Sequence, residues 1–84
     1  MQPVAQPMMQ PFTTRILIAE SSQFLVEKLR NSLREHGFQV QAVESGAAAL
    51  EATREWKPHF VLYDMVMQDL SGPNFLKNLQ TEDL

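Results

Sequence analysis

The chain contains no cysteine, which excludes disulfides, thiolate zinc centres and cysteine nucleophiles. No stretch approaches the ~18 consecutive apolar residues of a membrane-spanning helix, so no membrane is expected as a partner. Residues 1–10 hold neither Lys nor Arg and no continuous apolar segment, and so do not read as a secretory signal. Glycine is scarce, at three residues. They form neither a phosphate loop followed by lysine nor a dinucleotide-binding fingerprint, which removes P-loop nucleotidases and Rossmann oxidoreductases. Excess charge is also small: a net −3 gives no electrostatic reason to expect nucleic acid as a partner of this segment. These absences together fit a cytoplasmic protein.

What remains is one small domain. The 84 residues are 44% apolar and 20% charged, the balance of an ordinary soluble protein. Pro3, Pro7 and Pro11 each remove a backbone donor and restrict the preceding residue. With the surrounding Gln and Met they predict a flexible tail over residues 1–14, ahead of a folded portion over residues 15–84. A body of that size buries only about 60% of the surface its unfolded chain exposes, so it is expected to be marginally stable.

The folded portion alternates two periodicities. Arg15 to Ala19 is an apolar run of strand length. Ser21 and Ser22 offer a cap for a helix over residues 23–36, with Leu25, Val26, Leu29 and Leu33 as its apolar stripe. Of the two serines, Ser21 is the expected cap. Gly37 suits the position just past the helix. Residues 38–43 alternate apolar and polar, as in a strand near a sheet edge. Ser45 and Gly46 open an alanine-rich helix to Trp56, which Pro58 ends. Phe60 to Tyr63 reads as a parallel strand covered on both faces. Gly72 and Pro73 begin a third helix, with Phe75, Leu76 and Leu79 facing inward. The order β-α-β-α-β-α implies an α/β fold with parallel strands and right-handed crossovers.

Two of these strands deliver an acid to the same edge. Glu20 follows the first and Asp64 the third, at the carboxyl ends where α/β proteins place their chemistry. Such a pair suits a hard cation or a phosphoryl group. A dehalogenase-type phosphatase needs a second aspartate two residues beyond the first, but that position is Val66. His36 and His59 lack ligand spacing. Trp56 and the methionines read as core or boundary residues, Glu51 and Glu55 as a solvated helix face, and Asp69 as a surface-loop charge.

The strand-ending acid of Ile16-Leu17-Ile18-Ala19-Glu20, the helix closed by His36-Gly37-Phe38, the turn Ser45-Gly46 before Ala47 to Leu50, and the segment from Asp64 through Asp69-Leu70-Ser71-Gly72 occur in one order and spacing. In this the chain resembles the receiver domain of two-component response regulators, the CheY-like superfamily, over residues 15–84. The resemblance implies a flavodoxin-like three-layer fold with strand order 2-1-3. It implies that Asp64 accepts a phosphoryl group, with Mg2+ held by Glu20, Asp64 and the backbone carbonyl of Val66. It further implies a sensor histidine kinase or phosphotransfer protein as donor and a downstream effector protein as target. Signalling would then proceed through protein contacts, with no enzyme activity beyond self-phosphorylation and autodephosphorylation.

Three features depart from the family pattern. Ser21 stands where the family has a second acid, which leaves a weak or water-mediated ligand. Gln68 replaces a proline. The family's fourth and fifth strands, with a phosphate-contacting hydroxyl residue and a lysine, are not in this chain, so residues 15–84 correspond to the N-terminal portion of such a domain. That would leave the third strand as an apolar edge able to pair with a second copy. The Ser21 substitution also opens the alternative of a phosphorylation-independent pseudo-receiver that works as an interaction module, and the missing strands that of an inactive fragment.

Overall fold

The computed structural model describes residues 13–84. The expected tail therefore lies, up to residue 12, outside the described residues. The folded chain runs β1 (Arg15–Ala19), α1 (Gln23–Glu35), β2 (Gln39–Val43), α2 (Gly46–Trp56), β3 (Phe60–Tyr63) and α3 (Gly72–Glu82). The strands form one parallel sheet in the order β2-β1-β3. Ile16 pairs with Val40 on one side and with Phe60 on the other. This is the expected doubly wound arrangement, with the most buried strand in the centre.

Side-chain alternation along β1 divides the core in two. Leu17 and Ala19 point into a cluster with Ala49 of α2, Phe75 of α3 and Met67. Ile18 points the other way, to Val26 of α1 and Val40 of β2. One helix thus covers one face and two cover the other, giving three layers. Strand geometry dictates the division, because successive Cβ atoms leave opposite faces of the pleat.

Each helix starts the same way. Ser22, Ser45 and Ser71 sit in extended conformation, and their hydroxyls accept the N–H groups of Leu25, Ala48 and Asn74. The cap of α1 is therefore Ser22, not Ser21 as the sequence suggested. Capping requires the side chain to reach back from the last non-helical residue, and Ser21 stands one position too early. At the other end of α2, Lys57 takes a left-handed conformation. Arg15 donates to the carbonyls of Trp56 (3.2 Å) and Lys57 (2.6 Å). A guanidinium there meets the negative end of the helix and satisfies its orphan acceptors. An exposed pair between Arg54 and Glu82, 2.6 Å and 2.9 Å, links α2 to α3.

Two packing expectations are corrected. β3 is covered on one face only: Val61 and Tyr63 pack on the Phe75 side, whereas Phe60 is 61% and Leu62 42% exposed. An apolar run reports the character of its side chains but not whether a helix lies over both faces. α1 packs mainly over β2, which leaves the β3 side of that layer open. Phe24, Leu25 and Leu29 on α1 are exposed for the same lack of a neighbour. Leu76 does not face inward either; it is exposed, and Phe75 alone of α3's large side chains is fully buried.

Candidate functional site

The parallel sheet brings three strand ends to one edge. Glu20 follows β1, Glu44 follows β2 and Asp64 follows β3. Backbone pairing extends one residue beyond the strands at two of them. The Glu20 N–H donates to the Val43 carbonyl (3.1 Å) and the Asp64 N–H to the Ala19 carbonyl (3.0 Å). Both acids therefore leave the sheet from fixed backbone positions.

Their carboxylates behave differently. Glu20 folds back, with Oε2 accepting the Ser22 N–H at 3.0 Å at the start of α1. Asp64 is half-buried, and its Oδ1 accepts the Val66 N–H at 3.1 Å. This small turn holds Val66 close to the carboxylate, while Oδ2 takes no hydrogen bond from the described residues. An open groove of about 580 Å³ beside it is lined by Ser21, Glu44, Ser45, Asp64 and the loop residues Val66 to Asp69. Of the four expected site residues, the groove brings together Ser21, Asp64 and Val66. Glu20 is not part of its lining. A depression of about 620 Å³ around Arg34, Phe38 and Trp56 offers no acid.

Two groove residues were not anticipated as participants. Glu44 accepts from the Gln23 side chain at 3.1 Å. The signal for it was present, since each of the three strands is followed immediately by an acid. Asp69 is not a free surface-loop charge. Its two carboxylate oxygens accept the N–H groups of Gly46 (2.8 Å) and Ala47 (3.0 Å). Those bonds hold its carboxyl below the ordinary carboxylate range, because they favour the ionised form. Neighbouring Tyr63 donates its hydroxyl to the Leu70 carbonyl at 2.6 Å and stacks on Phe75 with centroids 4.2 Å apart. Burial first, then the charges of Asp69 and Asp64, raise its phenol above the usual value.

The donor set is entirely oxygen, which suits a hard cation such as Mg2+. Among the described residues, no group of three or more His, Cys, Asp or Glu side chains is placed to hold a metal ion. The Asp64 carboxylate and the neighbouring loop oxygens at the groove would suit an ion that keeps several of its waters. They do not fit a dedicated all-protein cage. No Lys or Arg lines the groove, so negative charge arriving there would have no cation from the lining to meet it. Among the described residues, no helix is long and apolar enough to cross a membrane.

Residues 16–84 match the family model described as the response regulator receiver domain. The chain is 34% identical over 70 residues to the chemotaxis protein CheY of Bacillus subtilis, covering 82% of this chain and 58% of that protein. It is 41% identical over 58 residues to the protein PilH of Pseudomonas aeruginosa, covering 69% of this chain and 48% of that one. With the DNA-binding response regulator MtrA of Mycobacterium leprae it shares 32% identity over 68 residues, 81% of this chain and 30% of that protein. A crystal structure of a signal receiver domain from Vibrio parahaemolyticus superposes with a TM-score of 0.80 at 24% identity, covering 86% of this chain and 55% of that one. The chain thus spans between 30% and 58% of the length of these curated relatives.

Proposed function

The chain belongs to the response regulator receiver family of two-component systems, and from that premise we propose that Asp64 is its phosphoacceptor. Receiver domains are signalling modules rather than enzymes. The observation that carries the reading is the state of the Asp64 carboxylate. Its backbone is anchored to β1, one oxygen is held by the Val66 N–H, and the other is uncommitted beside an open groove. That oxygen would form the new P–O bond as the P–N bond to the donor's imidazole breaks. The imidazole would leave with the electron pair and take up a proton. The products are an acyl phosphate on Asp64 and a neutral histidine.

Mg2+, when bound, supplies the positive charge that lets a carboxylate approach a phosphoryl group. Asp64, Glu20 and the Val66 carbonyl are the groups we assign to hold it. Ser21, exposed at the groove, would act weakly or through water. Glu20 would have to share its carboxylate between the ion and the Ser22 N–H that it already accepts. The donor would be a sensor histidine kinase or a phosphotransfer protein, the target a downstream effector protein, and the compartment the cytoplasm. Self-association through the β3 edge is supported by its place at the end of the sheet, paired with β1 alone. It would appear as a sedimentation coefficient that rises with concentration, and a monomer at all concentrations would exclude it.

The test is intact mass after incubation with a small acyl phosphate and Mg2+. One phosphoryl adduct is expected on the chain and none on Asp64→Ala. A chain that gains no adduct, or gains one equally in the variant, refutes the assignment. If Ser21→Asp alone gains the adduct, the missing carboxylate is the reason, and the chain itself is a phosphorylation-independent pseudo-receiver.

A further inference from the structure

The segment between Asp64 and α3 carries the Val66 carbonyl, so its position decides what the site can hold. Several hydrogen bonds stay inside the β3–α3 unit: Val66 N–H to Asp64, Met67 N–H to the Asp64 carbonyl, Gly72 N–H to the Met65 carbonyl, and the Tyr63 hydroxyl to Leu70. Among the described residues, only Asp69 bonds this loop to another helix, through the N–H groups of Gly46 and Ala47 at the start of α2. Helix α2 already has its own cap, since Ser45 accepts the Ala48 N–H at 3.1 Å. That cap leaves the Gly46 and Ala47 N–H groups open; Asp69 takes both and in doing so ties the loop to the helix.

We propose that Asp69 is a positioning residue, whose carboxylate clamps the β3–α3 loop to α2 and so holds Asp64 and the Val66 carbonyl in one geometry at the groove. The proposal rests on the reading of Asp64 as acceptor. A second observation agrees with it. Gly46 meets the loop so closely that a Cβ there would lie 2.5 Å from the Leu70 Cβ and 2.5 Å from the Tyr63 hydroxyl. The clamp therefore closes on a position that admits no side chain. Asp69 is exposed and outside the buried core, so its removal should leave the core in place, with the exposed Ala47 N–H turning to water and the buried Gly46 N–H losing its partner. What changes is the placement of the loop.

The experiment compares the 84-residue chain with Asp69→Asn, which keeps one acceptor oxygen, and Asp69→Ala, which keeps none. Two quantities are read: the rate of phosphoryl uptake from an acyl phosphate with Mg2+, and hydrogen exchange at the Val66 amide without metal. Circular dichroism verifies that each variant is folded. Misplacement of a reacting group by ~1 Å costs about a hundredfold in rate. The alanine variant should therefore slow by roughly ten- to a hundredfold, with the asparagine variant between it and the parent. Val66 exchange should accelerate in the same order.

A lowered thermal midpoint with unchanged rate and unchanged Val66 exchange would make Asp69 merely structural and overturn the proposal. A slower rate with unchanged Val66 exchange would also overturn it, since Asp69 would then act through its charge. If the parent chain takes up no phosphoryl group, the acceptor assignment fails separately. Val66 exchange then decides the clamp: acceleration in the alanine variant upholds it, and equal exchange refutes it.

Discussion

Gly46→Ala sets two effects of opposite sign against each other. On helix propensity alone the change should help, since alanine exceeds glycine by up to about 1 kcal/mol per interior position, and by less at a first turn. The structure says otherwise. The added Cβ would stand 2.5 Å from the Leu70 Cβ, 2.5 Å from the Tyr63 hydroxyl and 3.2 Å from an Asp69 oxygen. Leu70 and Tyr63 cannot yield separately, because the Tyr63 hydroxyl is bonded to the Leu70 carbonyl. Restoring ordinary contact requires the loop to retreat by roughly 1 Å, an overpacking that typically costs about 1–3 kcal/mol. The clash should win, by about 1–2 kcal/mol net. In a domain this size each kcal/mol lowers the thermal midpoint by about 4–8 °C, so a drop on the order of 5–15 °C is expected by circular dichroism. A midpoint that stays or rises would mean that the loop does not rest on α2 as described. Gly37→Ala is the control. It should destabilise through its φ of 89° alone, because nothing lies within 4 Å of its would-be Cβ.

Two further outcomes follow from the packing and the charges. Phe75→Ala removes a side chain that is 2% exposed and the Tyr63 stack with it. Losses of about 3–5 kcal/mol are usual for such a deletion, comparable with the whole stability of a small domain. The far-UV spectrum in buffer should be that of a largely unfolded chain, and a urea midpoint near the parent's would contradict the assigned core. For Asp69 the folded pKa lies below the unfolded one. Its contribution is therefore fully present above the unfolded value, about pH 4, and is lost as the pH falls through the folded value. Amide shifts of Gly46 and Ala47 should stay constant from neutral pH down to about pH 4 and move only below it. Movement centred at or above the free carboxylate value would refute the clamp's protonation state.

The element order and the parallel sheet were legible because they rest on local pattern: apolar runs of strand length, 3.6-residue stripes and serines before helices; the strand order 2-1-3 came only from the family resemblance. The errors occur where a neighbour distant in sequence decides the outcome. Phe60 and Leu62 look as buried as Val61 and Tyr63 when read along the chain, and only the position of α1 over β2 separates them. Asp69 finds its partners at Gly46 and Ala47, more than twenty residues away, across a crossover that the linear pattern does not describe. The choice between Ser21 and Ser22 depends on which residue takes the last extended conformation, a difference of one position that composition cannot resolve. Asp64 and Glu20 could be located at strand ends from sequence alone. That Glu20 spends one oxygen on the Ser22 N–H could not.

Because the strands run in one direction, an acid that recurs along the chain after each of them becomes a row along one border of the molecule. Glu20, Glu44 and Asp64 all stand at the carboxyl ends, with Asp69 beside them at the groove. Such a row draws mobile cations toward the border before any of them is bound. At physiological ionic strength the attraction fades over about 8 Å, less than the width of one helix. The border therefore enriches small cations within its own immediate layer of solvent. Encounter rates with a cationic visitor should consequently depend on the direction from which it approaches.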